Sequence, residues 1–201
     1  MSKRLFGIVA IASLVVISAC TAKQIPPVTQ DSIDGLTQHL LSLDPGVDPA
    51  EARRAAEVAY TYPPQLAKAY EITDPPIIHN GKVNNGTRPR GICVHWAEDM
   101  EARLKQENFK TLQIHRAIAD PLNPFRIDHS SAVISAQGHS MYDGLVLDPW
   151  RTGGSLHWAP VREDTRYNWA PRLEVLRKKA IEQGLLDENA PADTPIIGYS
   201  T

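Results

Sequence analysis

The sequence predicts an α+β domain in which helices come first and mostly antiparallel strands follow. Apolar residues recur at helical spacing early in the chain, most clearly at Ile33, Leu36, Leu40 and Leu41. Later segments are short, rich in β-branched and apolar residues, and bounded by Gly or Pro, which is typical of strands. No internal repeat or low-complexity run interrupts this order.

Start and stop signals place the predicted helices after the first one. Asp48-Pro49-Ala50-Glu51 combines a capping side chain, a first-turn proline and a box-like glutamate, so a helix is expected from there to about residue 60 or 62. Pro63-Pro64 is expected to break it, with only a further turn or two towards Tyr70. A last helix is expected at 172–183, ending at Gly184.

A central helix is predicted at 92–107, followed by strands at 111–119, 129–136 and 144–148 and a short one at 156–158. The stretch 74–90 is rich in Pro, Asn and Gly and is expected to be irregular. One face of the central helix is apolar and should pack on the sheet; it carries Cys93, Trp96, Ala97, Met100 and Leu104. The second strand should place on one face His129, Ser131, Val133 and Ser135.

The beginning of the chain has the pattern of a bacterial lipoprotein signal. Lys3 and Arg4 precede an apolar segment, 5–17, that is too short to span a bilayer as a stable helix. Ile17-Ser18-Ala19-Cys20 then resembles a lipobox, in which cleavage leaves Cys20 as the lipidated first residue. An ordinary signal peptide or a short anchor helix is the alternative. Thr21, where an Asp would favour inner-membrane retention, slightly favours the outer membrane.

These signals divide the chain into a signal peptide (1–19), a lipidated tether (20–30) and one domain (31–201). Within the domain we expect a helical region at 31–74, a catalytic core at 75–160 and a C-terminal helix at 172–184. The formal net charge is −2, and loss of the signal would remove two positive residues, so no nucleic-acid partner is expected. Lipid on Cys20 would leave the domain itself facing the periplasm.

Cys93 is the only cysteine left once Cys20 is assigned to the lipid. A lone thiol in an exported protein is a candidate for reactivity. At a helix start, the partial positive charge of the helix would stabilise its thiolate, which is the nucleophilic form. His129 opens one predicted strand and Asp148 ends another, so an imidazole oriented by a carboxylate could serve the thiol. Backbone N–H groups around Cys93 could form part of an oxyanion hole.

Three segments together resemble the transglutaminase-like superfamily: Gly91-Ile92-Cys93-Val94-His95-Trp96-Ala97, Asp128-His129-Ser130-Ser131-Ala132-Val133-Ile134-Ser135 and Leu145-Val146-Leu147-Asp148-Pro149-Trp150. The intervals are compact, as in bacterial transglutaminase-like cysteine peptidases. The resemblance implies a papain/transglutaminase-like fold and a catalytic triad of Cys93, His129 and Asp148. It further implies hydrolysis of a peptide or related amide bond in a peptide or protein substrate through an acyl-enzyme, without a cofactor; transamidation is the variant.

The chain departs from the family's pattern close to two triad positions. Val94 and His95 follow the cysteine where many members have an acidic residue, and Ile92 and Val94 cannot ligate the calcium that one subgroup binds. Ser130-Ser131 stands where an aromatic residue usually follows the histidine. The subfamily and the substrate therefore stay open.

Three further residues are candidate substrate contacts. Arg90, with Arg88 just before it, precedes the nucleophile and could bind a substrate carboxylate or phosphate; a solvated loop is the alternative. Trp96 shares the apolar helix face with Cys93 and is most simply explained as core. Trp150 follows Asp148-Pro149, where it could shield the triad from water.

Two other functional classes stay open on sequence grounds. A catalytically inactive transglutaminase-like lipoprotein could keep the fold as a binding or scaffold module of the cell envelope, with Cys93 as a small buried residue. A zinc module would need Cys93, His95, His129 and His139, but only the first two are close in sequence, and their spacing is awkward on a helix. We therefore expect no metal site.

Overall fold

The computed structural model of the protein describes residues 25–119 and 128–196. The predicted signal peptide, Cys20 and most of the predicted tether lie outside the described residues. None of the helices in the described ranges combines the length and the apolar character that a membrane span requires.

The described residues form five α-helices and five β-strands, so the predicted α+β class is confirmed. The helices are α1 (Gln30–Leu41), α2 (Pro49–Ala69), α3 (Pro76–Asn84), α4 (Cys93–Lys105) and α5 (Arg172–Glu182). The strands are β1 (Leu112–Ala119), β2 (His129–Ala136), β3 (Leu145–Leu147), β4 (Trp158–Pro160) and β5 (Trp169–Pro171). Helices precede strands as expected, and α5 follows the strands where a last helix was predicted.

The strands form one antiparallel sheet in the order β4-β3-β2-β1-β5. From β1 to β4 each strand pairs with the next one along the chain, whereas β5 returns to the other edge and pairs with the end of β1. The predicted antiparallel sheet is confirmed, but β5 is an addition, and β4 begins at the end of the predicted segment 156–158. The three residues of β5 are too few to show an alternation of apolar and polar side chains, so β5 is recognisable as a strand only by its pairing with β1.

Helix α2 runs through Pro63-Pro64, so the predicted break is wrong. Each proline removes a helical hydrogen bond, but the helix is fixed at both ends. At its start, Asp48 Oδ1 accepts from the backbone N–H groups of Ala50 at 2.8 Å and Glu51 at 2.9 Å. Beyond the prolines, Leu66 and Ala67 are buried in the core, and this packing outweighs the lost bonds.

Helix α3 occupies part of the stretch that was predicted to be irregular, so that prediction is also wrong. Ile77 and Ile78 are exposed, whereas His79 and Asn80 are buried. His79 Nε2 bonds to the carbonyl oxygen of Arg90 at 2.9 Å, and Asn80 Oδ1 accepts from Trp150 Nε1 at 3.1 Å. A helix held by buried polar side chains leaves no periodic apolar pattern in the sequence.

Helix α4 packs on the sheet through the predicted face, whose five residues are all buried. The main core lies between the helices and one face of the sheet, where Ala132 and Ile134 of β2 contribute. A second cluster on the opposite face includes Val133 and Trp169. Ile25, which was assigned to the tether, packs against the main core, so the last part of that segment belongs to the domain.

Candidate active site

Cys93 is the first residue of α4, as the sequence predicts. Ile92 precedes the helix in an extended conformation, and its side chain makes no capping hydrogen bond to the first turn. The helix therefore directs its partial positive charge at Cys93. The Cys93 thiol is 8% exposed, and its Sγ donates to the carbonyl oxygen of Asp128 at 3.6 Å.

The loop before Cys93 is held by three side chains. The backbone N–H of Gly91 donates to His95 Nδ1 at 3.1 Å, and Trp96 Nε1 donates to the Gly91 carbonyl oxygen at 2.9 Å. His79 binds the preceding carbonyl oxygen, that of Arg90. Trp96, a predicted substrate contact, is buried in the core, where it supports the loop from within. His95 likewise has a structural partner that the sequence did not reveal.

Strand pairing brings His129 and Asp148 together. Ala132 of β2 pairs with Leu147 of β3, so the next residue, Asp148, shares a face of the sheet with His129. His129 Nε2 lies 2.6 Å from Asp148 Oδ2, and each side chain is only 1% exposed. This is the orienting contact that a catalytic imidazole requires.

The second ring nitrogen of His129, Nδ1, does not contact Asp148 and is available to the Cys93 thiol. His129 Nδ1 is buried and has no hydrogen-bond partner among the described residues. Cys93 is nevertheless near enough to contribute to the protonation of His129. In this conformation the thiol donates to the carbonyl oxygen of Asp128 while it lies beside the imidazole of His129.

The electrostatics of the pair favour a protonated imidazole. Burial alone would lower the pKa of His129, but the hydrogen bond to Asp148 and the proximity of Cys93 raise it to about 9. Burial would raise the pKa of Asp148, yet the hydrogen bonds from His129 and Arg151 keep it below its usual value. At neutral pH the pair is therefore an imidazolium and a carboxylate.

Two charged residues behind the pair were missed by the sequence analysis. Arg151 Nε donates to Asp148 Oδ2 at 3.0 Å, and the two Nη atoms of Arg151 bind both carboxylate oxygens of Asp164, at 3.2 and 2.6 Å. Arg151 stands three residues after Asp148, which was a local signal. No local sequence signal marked Asp164, because it reaches the site only through a bend of the chain between β4 and β5.

His129 is enclosed by an aromatic wall, which consists of Trp150, Tyr167 and Trp169. The ring centroids lie 4.6, 4.5 and 5.3 Å from that of His129, respectively. Ala119 of β1 pairs with His129 on one side and with Trp169 on the other, and its small side chain leaves room for the rings to meet. Trp150, a predicted substrate contact, thus packs on the imidazole itself. Tyr167 and Trp169 were not predicted.

Arg90 lies in a surface ion pair. Its Nη2 is 2.9 Å from Asp99 Oδ1 and 3.8 Å from Glu98 Oε2. Arg88 likewise pairs with Glu71, at 3.4 Å. Both guanidinium groups therefore have anionic partners within the chain, so binding of a substrate anion would have to compete with these ion pairs.

The four residues considered for a zinc site are not brought together. His139 follows the end of β2 opposite to His129, and its Nε2 pairs with Asp44 Oδ2 at 3.3 Å. The described residues contain no group of three or more His, Cys, Asp or Glu side chains arranged to hold a metal ion.

A thiol at a helix start, an imidazolium and a buried carboxylate form a combination suited to nucleophilic attack on an acyl group. The thiolate is the attacking form, and the imidazolium can return a proton to a leaving group.

Comparisons of the chain with models of protein families, with curated proteins and with solved structures found no match. Its function must therefore be inferred from the geometry of this site.

Proposed function

We propose that this protein is a thiol hydrolase of the cell envelope that cleaves peptide or related amide bonds through Cys93, His129 and Asp148. The observation that carries the proposal is the buried His129–Asp148 pair, with its 2.6 Å contact, beside a cysteine at the first residue of a helix. A papain/transglutaminase-like arrangement, with the nucleophile helix packed on an antiparallel sheet, is part of the same proposal.

The proposed reaction has two halves. In the first, the Cys93 thiolate forms a bond to the carbonyl carbon, the C–N bond breaks, and His129 gives its proton to the departing amine. Backbone N–H groups at the start of α4 stabilise the negative oxygen of the tetrahedral intermediate. In the second, His129 takes a proton from water as the water oxygen bonds to the thioester carbon. The C–S bond then breaks, which releases the acid and restores the Cys93 thiolate beside the protonated His129. An amine in place of water would give transamidation.

The cellular context is part of this proposal. A lipid on Cys20 would anchor the chain to a membrane, with the domain facing the periplasm and the outer membrane slightly favoured. Cys20 lies outside the described residues, so this part depends on the lipobox pattern. Incorporation of labelled palmitate that persists in a Cys20→Ser variant would contradict it.

The rate of Cys93 alkylation by iodoacetamide, followed from pH 5 to pH 9 in a protein that begins at Thr21, tests the proposal. A thiolate stabilised by the helix and by the imidazolium should react at pH 6, and His129→Ala should reduce that rate by about tenfold or more. His139→Ala is the matched control, because this histidine is half exposed and pairs with Asp44. It should leave the rate unchanged.

The burial of the site supports a second candidate, a catalytically inactive binding or scaffold lipoprotein. Cys93 is 8% exposed and His129 only 1%, so little of the site meets solvent. A thiol that reacts slowly at every pH and does not depend on His129 would favour this candidate over the hydrolase. Once a substrate is found, full activity of Cys93→Ala would reject the hydrolase outright.

A further inference from the structure

We propose that Arg151 and Asp164 form a positioning relay behind the site. In this relay Asp164 holds Arg151, and Arg151 holds the carboxylate of Asp148 against His129. The inference rests on the proposed function in one respect, namely that His129 serves Cys93. Neither residue would touch a substrate, so both act through Asp148.

The contacts of the relay fix both ends of the Arg151 side chain. Its Nε donates to Asp148 Oδ2 at 3.0 Å, and its backbone N–H donates to Asp148 Oδ1 at 3.2 Å. Its two Nη atoms grip Asp164 as a fork, a geometry that fixes direction as well as distance. The exposed fractions of the Arg151 and Asp164 side chains are 7% and 3%. Such a buried network has little freedom to rearrange.

Asp164 is itself held in place by neighbouring donors. Trp169 Nε1 donates to its Oδ2 at 2.9 Å, and the backbone N–H of Arg166 donates to its Oδ1 at 3.1 Å. Trp169 also belongs to the aromatic wall around His129. The relay and the wall therefore share one residue, which links the position of Asp164 to that of the imidazole.

The role of Asp164 follows from the charges. Asp148 Oδ2 is shared, because it contacts both His129 Nε2 and Arg151 Nε. A guanidinium without a counter-charge would draw the carboxylate away from the imidazolium and would repel the imidazolium directly. Asp164 supplies that counter-charge. Arg151 can then orient Asp148 while the charge of Asp148 still stabilises the proton on His129.

Other titratable groups around the imidazole complete the setting. Cys93 approaches from α4, and Tyr167 from the segment before β5. Asp128 precedes His129 and is paired with Lys179 of α5. His157 lies near enough to interact with Arg151, although burial is the main reason that the pKa of His157 is lowered. The backbone N–H of Arg166 binds Asp164. The Arg151 guanidinium also lies over the ring of Tyr167, at 4.8 Å from its centroid, but the carboxylate that binds both Nη atoms of Arg151 is that of Asp164.

The test is an NMR titration of His129 in protein labelled at the histidine Cε1, with the signal assigned by its loss in His129→Gln. Asp164→Asn keeps the shape of the side chain but removes its charge, and it should lower the pKa of His129 by about one unit. Adding Arg151→Met in the same protein removes the unopposed guanidinium, and the pKa should return towards the wild-type value. Asp143→Asn, which neutralises an exposed partner of Arg162, is the matched control and should cause no shift.

The recovery in the double variant separates this role from a purely structural one, because two structural losses would add instead of cancelling. An unchanged pKa in Asp164→Asn, or a double variant with no recovery, overturns the relay. If Asp164→Asn does not fold, Arg151→Lys should still lower the pKa, since a lysine keeps the charge but loses the fork; no shift there also overturns it. The titration reads His129 whether or not Cys93 reacts, so an unreactive thiol would count against the proposed hydrolase alone.

Discussion

His129 shows how one residue can combine opposing influences. A buried imidazole is normally neutral, because burial penalises the charged form. Here the Asp148 carboxylate at 2.6 Å and the neighbouring thiol reverse that preference. The rings of the aromatic wall add faces towards which a cation is attracted. The proton on His129 is therefore a property of the folded state.

This proton makes stability depend on pH. The pKa of His129 is raised from 6.5 to about 9 on folding, so its contribution is fully present below pH 6.5 and is lost as the pH rises through about 9. Urea unfolding should show a decline of up to about 3 kcal/mol over that range. His129→Gln should flatten this decline, and an equally steep decline in the variant would contradict the assignment.

The loop that presents Cys93 depends on a glycine. Gly91 has a φ of +120°, and a Cβ added there would lie 2.4 Å from His79 Nε2. We expect Gly91→Ala to destabilise the protein by at least about 2 kcal/mol, from backbone strain and from displacement of the histidine. It should also slow Cys93 alkylation, since the start of α4 would shift. Thermal unfolding and the iodoacetamide assay measure the two effects.

Gly81 in α3 provides the matched control for that prediction. It lies in a regular helix, and no atom stands within 4 Å of the position of an added Cβ. Gly81→Ala should leave alkylation unchanged and raise the free energy of unfolding by about 0.5–1 kcal/mol. If both alanine variants behaved alike, the loop would not be as constrained as its contacts indicate.

Elements with a periodic apolar pattern could be predicted from the sequence, and elements held by distant polar contacts could not. The buried face of α4 and the strand that begins at His129 follow from side-chain spacing alone. Helix α3 depends on His79 and Asn80, whose partners lie in other segments. The residues of the site likewise fall into those that the sequence predicts and those that it does not. The three residues of the proposed triad lie where their elements begin or end, whereas Asp164 is joined to the site only by the folded chain.

At the scale of the whole molecule, the two larger clusters of buried side chains lie on opposite faces of one sheet. Ile134 belongs to the main core beneath the helices, and its neighbour Val133 belongs to the cluster on the other face. Both lie on β2, a central strand between β1 and β3. A substitution that destabilises one cluster should therefore destabilise the other as well, through β2.

Substitution on each face tests this coupling. Ile134→Ala should cost about 2–5 kcal/mol, and Val133→Ala less, because fewer buried carbons are removed. In both variants, far-UV circular dichroism and tryptophan fluorescence should report the same urea midpoint, as expected for two-state unfolding. Two separate midpoints in either variant would show that the faces unfold independently.

The meander from β1 to β4 also has a consequence for the order of assembly during folding. The His129–Asp148 contact spans only 19 residues and joins neighbouring strands, so a short loop closure suffices to form it. Trp150 closely follows Asp148 along the chain, but the other two residues of the wall, Tyr167 and Trp169, arrive only when β5 crosses back to the far edge of the sheet. Because local pairings form faster than distant ones, the His129–Asp148 pair would exist transiently in an open form. It would be enclosed only as the last strand docks.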